Sequence, residues 1–317
     1  MPSVRAPQLA ALVVGATVAV AACGGGDAPA TTTATAGQMT ATSGSTTAAA
    51  PPVLCGPLRA RVTGHVDAPD ATELSGLARS VTQPGVLWAH NDSGDRARVF
   101  ALRTEGSRIA SLDVPGADAT DWEDMAIGPG GDLLLGDIGD NDAKRPNVSV
   151  YRVAEPKLAA RPTATAPATR FTLTYPDGAR DAETLLADRR TGELVVVSKA
   201  FSGHSTVYAG SLRGATTQTL RRAGTIELGL GGLATAGDVS GDGRTVAIRT
   251  YTALYVWKRR AGVSIARTLV DGEHCTGQVA LGRAGQGEAL ALARDGRSFF
   301  TVPEGAAPAL RRYTPRK

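Results

Sequence analysis

Residues 123–141 read EDMAIGPGGDLLLGDIGDN: a carboxylate, a short apolar run, a Gly-Pro-Gly-Gly turn, and a second apolar run that ends in polar residues. Two strands joined by a tight turn account for this pattern, because neither run has the length or the period of a helix. Four other stretches repeat it: ELSGLARSVTQPGVLWAHND from Glu73, ETLLADRRTGELVVVSK from Glu183, TAGDVSGDGRTVAIRTY from Thr235 and EALALARDGRSFFTVPEG from Glu288. Their starts lie 50, 60, 52 and 53 residues apart, intervals that hold four strands and their turns. Repetition at that period is the mark of a β-propeller in which each copy supplies the two inner strands of a blade.

Between the copies stand further strand candidates, NVSVYRVAEP and TRFTLTYP after the second, STVYAGSL and TQTLRRAGTIEL after the third. Helical periodicity is nearly absent from residues 53–317, so the expected fold is all-β, a single propeller of four-stranded blades. Five blades are favoured over a six-bladed ring with one divergent blade in the long interval between Glu123 and Glu183. After the fifth copy only ALRRYTPRK is left as an extended segment. RARVTGHV, residues 59–66, is therefore expected to complete the last blade and close the ring from the N-terminal side.

The chain before this domain has another character. Arg5 precedes the apolar segment LAALVVGATVAVAA, which ends in Val20, Ala21, Ala22 and Cys23, and this resembles the bacterial lipobox. The segment is too short to span a bilayer as a helix. Residues 1–22 read as a lipoprotein signal peptide, and 23–52 as the lipidated Cys23 followed by a disordered Thr/Ala/Gly-rich tether with a reach of about 30 Å. Residues 53–317 remain for the propeller. The expected location is the extracytoplasmic face of the cell membrane, with the lipid anchor as the only membrane contact. In an exported chain the other two cysteines, Cys55 and Cys275, are expected to form a disulfide. Hydrophobic content of 42% excludes wholesale disorder. The 34 Lys and Arg against 30 Asp and Glu are dispersed, so nucleic acid is not an expected partner. Nothing in the sequence calls for more than a monomer.

In a meander, the start of the first strand and the end of the second lie on the same face. That reasoning gathers Glu73, Glu123, Glu183 and Glu288, with Thr235 at the equivalent point, beside Asn91, Asp92, Asp137, Asp140, Asn141, Lys199, Arg249, Thr250 and Glu304. Asp121, Asp124 and Asp181 flank the second and third glutamates. So many carboxylates repel one another unless their pKa values rise or a cation compensates them. Calcium takes six to eight oxygen ligands in loose geometry and suits donors from several blades. His90, Lys199 and Arg249 are the candidate ligand-binding groups beside that mouth. Asp238, Ser240, Asp242 and Gly243 imitate the opening of an EF-hand loop, but Arg249 stands where the bidentate Glu belongs, and a hairpin turn on the opposite face is expected.

The strings WAHNDSGD from Trp88, DWEDMA from Asp121, LLGDIGDN from Leu135, VYRVAEP from Tyr151, DAETLL and QGEALAL together resemble a family of exported bacterial β-propeller lipoproteins of unsettled activity. More distantly the chain is similar to phytase-like, gluconolactonase-like and NHL-type propellers, in which an acidic channel mouth often binds calcium. Three functions compete. The first is a membrane-anchored extracytoplasmic binding module that holds a small polar ligand or a protein partner around calcium. The second is a calcium-dependent hydrolase of phosphoesterase or lactonase type, with Asp or Glu activating water. The third is a structural surface protein. A binding module leads, because there is no G-x-S-x-G elbow, the histidines are scattered, and neither H-x-x-x-H nor C-x-x-C occurs.

Overall fold

The computed structural model describes residues 53–277, 281 and 287–316. The expected signal peptide (1–22) and the expected lipidated Cys23 with its tether (23–52) lie outside the described residues. Among the described residues there are five antiparallel blades, as the repeat predicts, and the ring is closed by β1 (Leu58–His65). Blade one is β2 (Leu74–Arg79), β3 (Val86–Asn91), β4 (Arg98–Arg103) and β5 (Arg108–Asp113). Blade two is β6 (Trp122–Ile127), β7 (Leu133–Asp137), β8 (Val148–Val153) and β9 (Thr169–Thr174). Blade three is β10 (Ala182–Ala187), β11 (Glu193–Ser198), β12 (His204–Ser211) and β14 (Arg221–Glu227), while the short β13 (Thr217–Thr219) adds in parallel to the outer edge of blade two. Blade four is β15 (Ala234–Val239), β16 (Thr245–Thr250), β17 (Leu254–Lys258) and the short β18 (His274–Thr276). Blade five runs from β19 (Ala291–Leu292) through β20 (Phe299–Thr301) and β21 (Ala309–Pro315) to β1.

The closing ladder pairs Leu58 with Pro315 and His65 with Ala309. Cys55 and Cys275 are bridged, with their Cα atoms 5.6 Å apart. The bond ties the segment leading into β1 to the outer strand of blade four. A cross-link over so long a loop stabilises by about 2–4 kcal/mol.

The apolar side chains sort into five clusters, one at each blade interface. Leu134 and Val150 meet Leu185 and Val196 between blades two and three; Val195 and Val207 meet Val246 and Trp257 between three and four. Alternation along the strands sends one set of residues to each neighbour, which is why blades buried on both faces read as nearly continuous apolar runs. The one α-helix among the described residues, α1 (Ile265–Asp271), lay outside the sequence expectation. Its turns bury Ile265, Ala266 and Leu269 against the cluster between blades three and four. Ser264 caps its start, and the Glu193 carboxylate accepts the N–H groups of Ile265 and Ala266 at 2.6 and 3.1 Å.

Polar clamps join the blades. Glu155, from the string VYRVAEP, accepts Trp88 Nε1 at 2.9 Å and Thr82 Oγ1 at 2.6 Å, as well as Ser80, so blade two grips the first turn of blade one. Asp188 of blade three forms an ion pair with Arg259 of blade four, and both are buried. Burial raises the Asp188 pKa, but Arg259 and the turn N–H groups of Thr191 and Arg190 outweigh it and leave the carboxyl at about 2. A depressed carboxyl adds stability that is complete above the unfolded-state value and is lost as pH falls through the folded value. Between pH 4 and 2 this pair is thus expected to lose about 2 kcal/mol of stabilisation. Urea unfolding of wild type and Asp188→Asn over that range would test it, and a stability difference that does not shrink on acidification would refute it.

Candidate functional site at the channel mouth

Four inner strands open with a β-bulge at the same step. Leu74 pairs with Asn91, Trp122 with Asp137, Ala182 with Ser198 and Ala234 with Thr250, and the ladder then skips one residue. Gly287 bridges Pro303 before Ala291 pairs with Phe300, so blade five follows the same scheme. The residue after each pair is Ser75, Glu123, Glu183, Thr235 and Glu288, all buried. A bulge re-aims the extra side chain, and here it places one from each blade around the channel. The residue after the partner on the second strand is Asp92, Ile138, Lys199, Tyr251 and Glu304.

This register corrects one expected equivalence. Glu73 stands level with Asp121 and Asp181, one residue before the pair, and Ser75 occupies the place expected for it. Glu73 is exposed at the rim. The Ser75 hydroxyl donates to the backbone carbonyl of Glu123, and Thr235 Oγ1 donates to the carbonyl of Gly287 at 3.2 Å, so the uncharged members of the tier stitch neighbouring blades.

The carboxylates converge. Oxygen atoms of Asp92, Asp121 and Glu123 all lie within 4.8 Å of one another, as do those of Asp92, Glu288 and Glu304, and those of Glu123, Asp181 and Glu183. Asp92 and Glu123 are shared, so the three groups form one cluster fed by blades one, two, three and five. Gly139 is required beneath it: a Cβ there would collide with the carboxylates of Glu123 and Asp121. That constraint gives the string GDIGDN a physical reason.

Protons are held tightly in this crowd. Burial, reinforced by Asp121, Glu288 and Glu73, pushes Asp92 up to about 6. Burial together with Glu183, Asp92 and Asp121 raises Glu123 well above the carboxylate range. Glu304 is pushed up to about 8 by burial and by the Glu288 carboxyl beside it. Glu183 also reaches about 8 through burial, although Lys199 at contact opposes the rise. Burial works against the Lys199 charge, yet Glu183 outweighs it and holds the ammonium above the usual lysine range.

Tyr251 was not among the residues picked out by sequence. Its hydroxyl donates to Glu288 Oε1 at 2.8 Å, and the Lys199 ammonium lies 5.8 Å from its ring centroid. The available signal was positional, since Tyr251 follows the second strand of its copy just as Lys199 and Glu304 do. Two oxygens of the carboxylate cluster, Glu183 Oε2 and Glu288 Oε2, are buried without a hydrogen-bond partner, as is Oδ2 of the neighbouring Asp137.

Several expected site residues have other work. Asn91 spends its amide on Asp70 O and Asp95 Oδ2, both at 2.8 Å, and on the N–H of Glu73. Asp137 accepts the Asp121 N–H at 3.1 Å and pairs with Arg145 at 2.8 Å, a partner that sequence reasoning also missed. Asp140 caps its own loop through the N–H groups of Lys144 and Arg145, and Asn141 is exposed. Asp124 points away from the mouth and binds backbone N–H groups of Met125, Leu185 and Gly237. His90 is fully buried under Gly76 and edge-on to Trp122, where burial lowers its pKa and keeps it neutral. Arg249 is not at the mouth either. It lies between blades four and five, donating to Ala289 O and Thr301 Oγ1, and burial lowers its pKa to about 10. Of the EF-hand-like residues, Ser240, Asp242 and Gly243 form the hairpin turn between β15 and β16, at the opposite end of the ring, while Asp238 lies within β15 and its carboxylate accepts the N–H groups of Val239 and Leu292, both at 2.7 Å.

No known family profile matches the chain, and no curated protein matches it in sequence. Solved structures do. The PQQ-bound aldose sugar dehydrogenase of Streptomyces coelicolor is 11% identical over 84% of this chain and 99% of its own, with a TM-score of 0.50. A gluconolactonase from Xanthomonas campestris is 16% identical over 85% of this chain and 98% of its own, with a TM-score of 0.44. At these identities the likeness is one of fold.

Proposed function

We propose that the chain is an exported, lipid-anchored propeller whose channel mouth holds a divalent cation of the calcium class and uses it to bind a small polar ligand. The observation that carries this reading is the pair of buried, unpartnered oxygens, Glu183 Oε2 and Glu288 Oε2, within a cluster of seven carboxylates. A buried carboxylate oxygen without a donor is costly, and a cation relieves both that cost and the mutual repulsion of its neighbours. The donor set fits. Every group in the cluster is a hard oxygen ligand, with no imidazole or thiolate, which favours calcium or magnesium over zinc. Lys199 and Tyr251 at the edge of the cluster would meet the anionic or hydroxyl oxygens of a ligand that also reached the ion.

Hydrolysis of a phosphoester or lactone stands second, and one observation favours it. Glu183 and Glu304, both at about 8, titrate near neutral pH, as a general acid or base requires. Calorimetric titration of calcium into chelator-treated protein tests the shared premise. Glu123→Gln and Glu183→Gln are expected to weaken binding at least about tenfold, whereas Asp140→Asn, which alters a loop cap, leaves it unchanged. Absence of binding by any divalent cation would remove both readings. Turnover of a phosphoester or lactone panel that disappears in Glu183→Gln would put hydrolysis first. The anchor is tested separately, by loss of fatty-acid labelling in Cys23→Ser.

A further inference from the structure

The turns between the first and second strands of each blade gather at the end of the ring opposite the mouth, and their chemistry is inverted. Between blades three and four these turns, with the segment that follows β17, enclose a hollow of about 550 Å³ whose lining includes Arg189, Arg190, Arg244, Arg259 and Arg260 against Asp188 and Asp242. Asp188 is consumed by Arg259. Asp242 turns one oxygen to Ser240 Oγ at 2.6 Å and to the N–H of Arg244 at 3.0 Å. Among the described residues, Arg189, Arg190, Arg244 and Arg260 have no acid within ion-pair distance. A second hollow shares Asp242 and adds Arg79, Arg294, Arg297 and Arg312 against Asp295. Nine arginines thus line the two hollows against three aspartates, with the buried Asp238 a fourth acid that acts on Arg189 and Arg79, in a chain whose whole formal charge is only +4.

We propose that this face is an anion site and that the hollow between blades three and four binds phosphate-bearing ligands. Guanidinium groups cannot relieve their repulsion by losing protons, so an incoming anion must do it. At the second hollow, burial and then Arg312 lower the pKa of Arg79, against the opposing pull of Asp238 and Asp295. Planar guanidinium forks match phosphate oxygens bidentately, and four of them around one hollow suit a multiply charged tetrahedral anion better than a single carboxylate. The floor is rigid: Arg259 is held by Asp188 and by the carbonyl of Val263 at 2.7 Å, and the Ser240–Gly243 turn is closed by its own backbone hydrogen bond. None of this depends on the cation reading at the other pole.

The test uses full-length Cys23→Ser protein, inorganic pyrophosphate as the probe, and chloride to hold the ionic strength constant. Calorimetry should show saturable pyrophosphate binding that weakens at least about tenfold in the double variant Arg190→Gln, Arg260→Gln. Both residues are exposed, and an unchanged melting temperature in chloride confirms that the variant is folded. A vesicle arm separates the sources of phosphate. Sedimentation with phosphatidylglycerol but not phosphatidylcholine vesicles, lost in the double variant, identifies a lipid headgroup; pyrophosphate binding alone identifies a soluble phosphate compound. If neither probe binds, or if the double variant binds both as well as its parent, the proposal is overturned.

Discussion

Replacing Asp124 with Ala is expected to destabilise the domain by about 4 kcal/mol or more, because it strands three buried backbone donors at once. Asp124 Oδ1 accepts the N–H of Met125 at 2.8 Å, and Oδ2 accepts those of Leu185 at 2.9 Å and Gly237 at 3.0 Å. Those donors belong to blades two, three and four, so a single carboxylate replaces the strand pairing that inner strands cannot obtain from one another. Burial raises the Asp124 pKa and the three donors pull it back. Asp124→Asn should fall between wild type and Ala, since an amide offers one accepting oxygen where two are used. Urea unfolding followed by tryptophan fluorescence measures the loss. A change below about 1 kcal/mol in the Ala variant would mean that the three donors find water instead.

The second large effect belongs to the mouth. Calcium at about one hundred times its dissociation constant should stabilise the folded state by roughly 2.7 kcal/mol, which for a domain of this size raises the melting temperature by about 5–10 °C. The sign with pH follows from carboxyls whose folded pKa values are raised, Glu304 at about 8 and Asp92 at about 6. In the folded state they keep protons that the unfolded chain has lost, so without the ion their contribution falls as pH rises through those values. Calcium competes with the same protons and binds better as they leave. The gap between melting curves with and without calcium should therefore widen from pH 5.5 to 8.5. A gap that is constant or narrows with pH would place the ion elsewhere.

The ring was legible in the sequence because each blade writes its inner hairpin in the same words, a glycine turn between two short apolar runs, and because the last copy ran short of chain. The mouth was legible more coarsely. Glu123, Glu183 and Glu288 could be found as a repeated carboxylate, but a bulge leaves no mark in an apolar run, and Glu73 was therefore aligned two residues out of step with them. Asn91, Asp124, Asp140, His90 and Arg249 share the composition of a ligand shell. What separates them from it is the direction of one Cα–Cβ bond and the nearest backbone donor, which only the folded chain fixes. The arginine face escaped notice because its members come from segments far apart in sequence, and the longest basic run among them, Lys258-Arg259-Arg260, is only three residues.

Ring closure also sets an order of events. β1 is the first strand of the domain to be synthesised, and its partner β21 is the last. The opening strand must wait, unpaired, for nearly the whole domain to follow it. Cys275 emerges before β21, and bonding to Cys55 at that stage would keep β1 beside the half-built ring. The separation that blade five must then close shrinks from most of the domain to a few tens of residues, and each halving removes about 0.6 kcal/mol of closure entropy. In this sense the cysteine pair acts during assembly as a bookmark, holding the place of a strand whose partner has not yet been delivered.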